Sequence, residues 1–316
     1  MKQPSLPQEH TPMPQYQPTV TSSARSLRFV TVGQFIAVVM IWSLTPLAAV
    51  WTVAELHWAW GLFIRFSLAI PIALLCMLYF RLSFHYDIKS MLSYCAGAIG
   101  LFGSMTFCYI GATEVPSAII SIIYGISPIL SGLMSTFILG KDRFHWIQWL
   151  GLGLALLGMC LAIGLGSSEI QMSNFGIMCE IIAMVLYVIS TFAVGMVGAN
   201  IHPITQTAGS TIVSWLGYLC LLPIFWAYLP HQLPNIHTSL AVLYSAFFSS
   251  VLAMIFYYAL IKKLKPTTVL LITIMTPVLA TLWGTWLNQE HLSSHLLLGL
   301  ILLCSGLFLY THYRRG

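Results

Sequence analysis

Charge is what this chain has least of. Lys and Arg number 13 and Asp and Glu 8 in 316 residues, or 7% together. A soluble domain carries about 25%, so a polar shell this thin excludes a water-facing globule. The basic residues stand singly in short loops, which excludes a nucleic-acid-binding stripe and any nucleic-acid partner. Acids are scarcer still inside the apolar runs, where Glu180 is the only one. An intramembrane enzyme needs several acids, histidines or a nucleophile–base pair at one depth, and the runs offer only Arg65 and Glu180. No catalytic residue is therefore expected. The seven cysteines (Cys76, Cys95, Cys108, Cys160, Cys179, Cys220 and Cys304) lie in apolar runs with no Cys-x-x-Cys pair, and read as small apolar side chains. A P-loop, His-Glu-x-x-His and Gly-x-Ser-x-Gly are all missing, and so is a strand before the glycines of 151–158. No cofactor is expected. Glu290, His291 and His295 share one loop but are too few to hold a metal.

What remains is apolar: 58% of the residues are hydrophobic and the mean hydropathy is +0.87. The hydrophobic content falls into ten runs, at about 29–52, 58–80, 90–112, 116–139, 146–165, 174–196, 206–229, 238–261, 267–287 and 294–312. Each is near the ~20 residues that carry a helix across a bilayer. The runs are continuously apolar rather than alternating, so helices are expected and not barrel strands. The first run is too long for a cleaved signal and should stay as a span. Residues 1–28, rich in Pro, Gln, Ser and Thr, read as a disordered tail that cannot bury enough surface to order itself.

The chain repeats itself. Tyr109 matches Tyr258, Ile123 matches Ile272, Pro128 matches Pro277 and Thr136 matches Thr285, all at a spacing of 149 (258 − 109). One residue dropped from the following loop then aligns Gly151 with Gly299 and Gly158 with Gly306. The loops around the two copies carry opposite charge. Glu114 precedes the first copy's proline-bearing run and Lys141 and Arg143 follow it. In the second, Lys262, Lys263 and Lys265 precede and Glu290 follows. Lys and Arg stay on the cytoplasmic side, so the copies must lie upside down to each other, the mark of a secondary transporter. With both termini cytoplasmic, every Lys and Arg except Arg65 falls inside, and Glu55, Glu114, Glu169 and Glu290 fall outside. The expected fold is an all-α integral membrane protein: ten transmembrane helices in two inverted-topology repeats of five, 29–165 and 174–312.

Several stretches resemble the EamA-type exporters of the drug/metabolite transporter superfamily. They are Ile41-Trp42-Ser43, Phe63-Ile64-Arg65-Phe66, Ser127-Pro128, Leu139-Gly140-Lys141 and Trp149-Leu150-Gly151, with Thr276-Pro277 and Gln289-Glu290 in the second copy. The family usually has Gly-Glu where this chain has Gly140-Lys141, and Lys141 lies on the inner side. The resemblance implies a central cavity between inverted halves, peripheral fifth and tenth helices, and export of small metabolites or amino acids across a bacterial inner membrane. Drug, nucleotide-sugar and lipid-linked substrates remain alternatives.

The candidate residues follow. Arg65, inside a span, costs several kcal/mol unless paired or wetted, so it serves either a substrate or the carbonyls of neighbouring helices. Glu180 lies roughly 9 Å deep at 1.5 Å per residue. It is a candidate for proton coupling, for a vestibule wall or for pairing with Arg65 at similar depth. Pro128 and Pro277 each free a helix carbonyl and are candidate hinges, with Ser127 and Thr276 beside them as local hydroxyls. Trp42, Tyr109, Tyr124 and Tyr258 are aromatics within spans that either line a cavity or pack. With Arg65, Ser127 and Thr276 they form the expected substrate-cavity set. Gly151, Gly158, Gly299 and Gly306 allow close helix approach and suggest a homodimer face. The expected partners are a small-molecule solute, the lipid bilayer and protons as coupling ion.

Overall fold

The computed structural model describes residues 22–139, 145–163, 173–290 and 293–312, and among these there is no strand. The tail before residue 22, the Lys141–Arg143 loop, the junction at 164–172, His291 and the last four residues lie outside the described residues. Ten helical segments follow one another. They are α1 (Ser22–Val53), α2 (Trp58–Tyr79), α3 (Ile88–Gly111), α4 (Ser117–Gly125 with Ser127–Leu139), α5 (Trp146–Ala162), α6 (Asn174–Val197), α7 (Pro203–Tyr228), α8 (Ile236–Lys263), α9 (Ile272–Asn288, after a turn at Pro266–Val269) and α10 (Ser294–His312). Seven of them, α1 to α4 and α6 to α8, are long and apolar enough to cross a membrane; α5, α9 and α10 are shorter.

Short polar residues start these helices. Asp87 accepts from Ser90 Oγ at 2.6 Å and from its backbone N–H at 3.2 Å. Those bonds, the hydroxyl's first, hold the Asp87 carboxyl below the ordinary carboxylate range. Asn235 accepts from the Thr238 N–H and Ser173 from that of Gly176, each satisfying a donor the helix itself cannot. Gly198 ends α6 at φ +56°, a left-handed turn that strains any side chain.

The outer surface is apolar and the interior is dotted with hydroxyls, the reverse of a soluble protein. Leu78, Phe137, Trp286 and Phe308 are more than half exposed, while Ser104, Thr191, Ser210 and Ser250 are fully buried. Hydrocarbon outside makes the first affordable, and inside, these four hydroxyls bond a helix carbonyl or another side chain. Thr191, for example, donates back to Tyr187 O at 2.8 Å.

The first helix of each half packs into the other half. Helix α1 lies along α8 and α9, and α6 lies along α3 and α4. The last helices, α5 and α10, pack against each other over most of their length. A Cβ on Gly151 would lie 2.6 Å from Gly306 O, and one on Gly158 would lie 2.6 Å from Gly299 O. The pairing is antiparallel and reciprocal, as two inverted copies require. The glycine faces that suggest a homodimer therefore meet each other within one chain.

Two interruptions recur at matched places. Helix α3 widens into a π turn at Ile99–Ser104 and α8 does so at Ser245–Leu252, positions that correspond under the 149-residue repeat. Such turns leave carbonyls and side chains reaching inward and often mark functional sites. The prolines behave differently from each other. Helix α4 breaks at Ile126, just before Pro128, but α9 runs unbroken through Pro277 and breaks earlier, at Leu270–Leu271. The Thr276 hydroxyl explains the continuity, since it donates at 3.1 Å to Thr273 O, the carbonyl that Pro277 cannot serve.

Candidate functional site

The exchanged helices surround a cavity of about 110 Å³ at the centre of the bundle. Its walls come from α1, α2, α3, α4, α6, α8 and α9. The π turns supply Gly100 and Leu101 from α3 and Ser249 from α8. Thr45 of α1 meets Ser249 Oγ at 2.6 Å, and Ser190 of α6 donates to Ala96 O at 2.7 Å. Each half thus secures the other's interrupted helix from its own first helix.

Trp42, Tyr124, Tyr187 and Tyr257 form the aromatic wall. The Trp42 ring lies 4.9 Å from that of Tyr257 and 5.9 Å from that of Tyr187, with Tyr124 and Tyr187 5.8 Å apart. Tyr257 is tied to the Thr191 hydroxyl, and Tyr124 bonds Ser104 at 2.9 Å. The Tyr187 hydroxyl is buried, and among the described residues it has no partner in hydrogen-bond geometry, although the Tyr257 hydroxyl lies near. A single cation enters this wall. Arg65 is 2% exposed; its Nε donates to Ser250 Oγ at 2.8 Å and its Nη1 to Tyr109 Oη at 3.0 Å. Its guanidinium also lies 5.6 Å from the centre of the Phe66 ring and 5.8 Å from that of Tyr109. The π turn in α8 carries Ser250. No carboxylate neutralises Arg65 among the described residues, and its Nη2 makes no protein bond.

Glu180 does not pair with Arg65. The two reach α3 at adjacent residues: Arg65 takes Tyr109, while Glu180 lies by the Cys108 thiol in the space left by Gly111. A Cβ on Gly111 would come within 2.5 Å of Glu180 Oε1. The carboxyl is fully buried, and neither oxygen has a donor in bonding geometry among the described residues, the Cys108 thiol being near without meeting that geometry. Cys108 stands between Glu180 and the cavity, which it lines.

Trp42, Arg65, Tyr109, Tyr124 and Thr276 lie on the cavity wall; Ser127 and Tyr258 do not. Ser127 is turned to α9 and bonds Thr273 Oγ1 at 2.8 Å. Tyr258 lines a second cavity, of about 380 Å³, nearer the lysines of α8. Its neighbour Tyr257 takes the central place, one step of 100° around the helix. Tyr187, Tyr257, Ser190 and Ser249 were not singled out by their sequence. The one available signal was the matched small residues Gly100 and Ser249 across the repeat.

Opposite the lysines, the acidic end of the bundle is tied shut across the two halves. Glu55 accepts from the Asn235 backbone at 2.8 Å and from its side-chain amide. Trp51 Nε1 donates to Asn288 Oδ1 at 2.8 Å. Glu290 accepts from Ser117 Oγ at 2.6 Å and from the N–H groups of Ser117 and Ala118 at 3.3 Å, capping α4 from the other half. Glu290→Ala should lower stability by about 1 kcal/mol, the usual worth of a helix cap. It should also speed labelling of Cys108 by a membrane-impermeant thiol reagent added at the acidic end, read by mass spectrometry. Unchanged labelling would mean that the ties hold no barrier.

Comparison with known proteins places this architecture. The family described as "EamA-like transporter family" matches residues 31–164 and again 174–311. A solved structure described only as "Crystal structure of protein" superposes with a TM-score of 0.68 at 19% identity, covering 89% of this chain and 97% of its own, which speaks to the fold alone. No curated protein matches.

Proposed function

The chain belongs to the EamA-like transporter family, a multi-pass membrane transporter of the drug/metabolite superfamily rather than an enzyme, and on that premise we propose that it exports amino acids or closely related metabolites. In this reading the ten helical segments are ten spans in two inverted halves, 29–165 and 174–312, with both termini in the cytoplasm of a bacterial cell. The central cavity is the substrate site, reached alternately from the two sides as the halves rock. The observation that carries the proposal is Arg65. A buried guanidinium with no acid beside it is costly, and a carboxylate delivered by the solute removes that cost each time the cavity fills. Tyr187 offers a second donor, and the ring of Trp42, Tyr124 and Tyr257 takes an apolar side chain or, by its π faces, an ammonium group.

Size and charge disfavour the larger candidates. A cavity of about 150 Å³ accepts one benzene ring, so about 110 Å³ suits a solute of a few heavy atoms. A nucleotide-sugar or lipid-linked sugar needs more room and more cations than Arg65 alone.

Glu180 is assigned the coupling proton. Burying an ionised carboxylate without donors is far costlier than burying the neutral acid, and the Cys108 thiol beside it lines the cavity. Counterflow in proteoliposomes preloaded with a mixed amino-acid pool tests both assignments. Uptake of a labelled amino acid above that of empty vesicles is expected. One proton exchanged per solute makes each pH unit worth about 1.4 kcal/mol, or about tenfold accumulation. Glu180→Gln should keep exchange and lose that accumulation. Equal accumulation in both chains would leave Glu180 a structural residue, and no amino-acid flux in a folded chain would sink the substrate class.

A further inference from the structure

We propose that the second cavity is a further binding site for the anionic end of the solute, with the Tyr258 hydroxyl and the Lys262 ammonium as its donors. The proposal rests on the transport reading and adds a loading site at the lysine-bearing end of the bundle.

The cavity is lined by Ser93 of α3 and by α6, α7, their connecting turn and α8, so both halves build it. Three of its polar side chains, Ser93, Gln206 and Tyr258, are no more than 3% exposed. Two of these satisfy each other. Ser93 Oγ donates to Gln206 Oε1 at 2.6 Å, and Gln206 Nε2 donates to Ser93 O at 2.8 Å and to Ser210 Oγ at 2.9 Å. They form a fixed floor with little left to offer a ligand. The Tyr258 hydroxyl is different: it is buried, and among the described residues Ser210 and Gln206 lie near it without meeting hydrogen-bond geometry, a state that costs free energy until something accepts its proton. Lys262 gives one of its three N–H bonds to Ile201 O at 2.8 Å, and no carboxylate meets it among the described residues. His202, beside it, has its imidazole pKa lowered by burial first and by the Lys262 charge second, which disfavours a competing positive charge. Two free donors, one charged and neither neutralised, call for an anion, and a carboxylate offers one oxygen to each.

The position gives the site its role. Gly97 lines the central cavity and Tyr258 the second, and the two touch: a Cβ on Gly97 would meet the Tyr258 hydroxyl and Ser210 Oγ. The two cavities therefore adjoin at a wall formed where Gly97 meets the Tyr258 and Ser210 side chains. Rotation of Tyr258 opens it, and the carboxylate then passes from Lys262 and Tyr258 to Arg65.

Equilibrium binding of tritiated alanine and tritiated serine to the full chain in lipid nanodiscs tests this. The native chain should bind two molecules. Lys262→Gln and Tyr258→Phe should each weaken the second site about tenfold and leave the first, whereas Arg65→Gln should remove the first and leave the second. Gly97→Ala should slow counterflow at least tenfold by wedging the wall. A single site lost in Arg65→Gln and indifferent to Lys262 and Tyr258 would overturn the loading site while sparing the transport reading. Binding of neither amino acid would overturn both.

Discussion

Arg65→Gln should reduce transport by at least a hundredfold while the chain still folds. The solute carboxylate would lose its only cation and the donors on it. Charge-assisted hydrogen bonds are worth about 1.5–3 kcal/mol each, so losing two removes about 3–6 kcal/mol, or between a hundredfold and ten-thousandfold in affinity. Arg65→Lys keeps the charge but not the planar fork that bonds Ser250 and Tyr109 together, and should fall between the native chain and Arg65→Gln. A purely structural arginine would give a different pattern. The Tyr109 and Ser250 hydroxyls would be left without their donor in both variants, melting temperature would fall, and the dissociation constant of the remaining folded chain would not change. Nanodisc binding and thermal melting on the same preparations separate the two. An unchanged affinity in Arg65→Gln would remove Arg65 from the substrate site.

The second large effect concerns stability. Gly158→Leu and Gly151→Leu should each cost about 3 kcal/mol, the upper end of overpacking penalties, with a marked loss of monodisperse protein. At Gly158 the nearest atoms to an added Cβ are backbone, Leu303 N at 2.5 Å and Gly299 O at 2.6 Å. At Gly151 they are Gly306 O at 2.6 Å and Tyr310 N at 2.9 Å. Backbone cannot swing aside as a side-chain tip does, so α5 and α10 must separate along their shared face. Between apolar helices in lipid that face is held by close contact rather than by the hydrophobic effect, and separation forfeits it. Gly153, two residues from Gly151, has nothing within 4 Å, and Gly153→Ala should be neutral. Size-exclusion chromatography and thermal melting in detergent check all three. If Gly158→Leu melts normally but changes the number of chains per particle, the glycine face joins two chains and not two helices of one.

The long apolar runs, the repeat at 149 residues and the placement of nearly every Lys and Arg in short loops came from the sequence alone. They sufficed for the helical class, the membrane and the two-part plan, because backbone polar groups in hydrocarbon leave a continuous apolar run no option but helix. The sequence also picked out Arg65 and Glu180, since a charge inside such a run is conspicuous wherever it points. Which face of each run turns inward was not legible. On a water-soluble helix the polar side faces out and the period of 3.6 reveals it. Here lipid is as apolar as the packed interior, so Tyr257 and Tyr258 look alike as residues although one lines the central cavity and the other does not. For the same reason nothing local shows that Ser127 turns to Thr273 of α9. The π turns in α3 and α8, the exchange of α1 and α6 between halves, and the use of Gly158 against Gly299 each depend on a partner distant in the sequence. Only the tertiary structure could decide them, because each is set by which surfaces meet and not by any property of the local run.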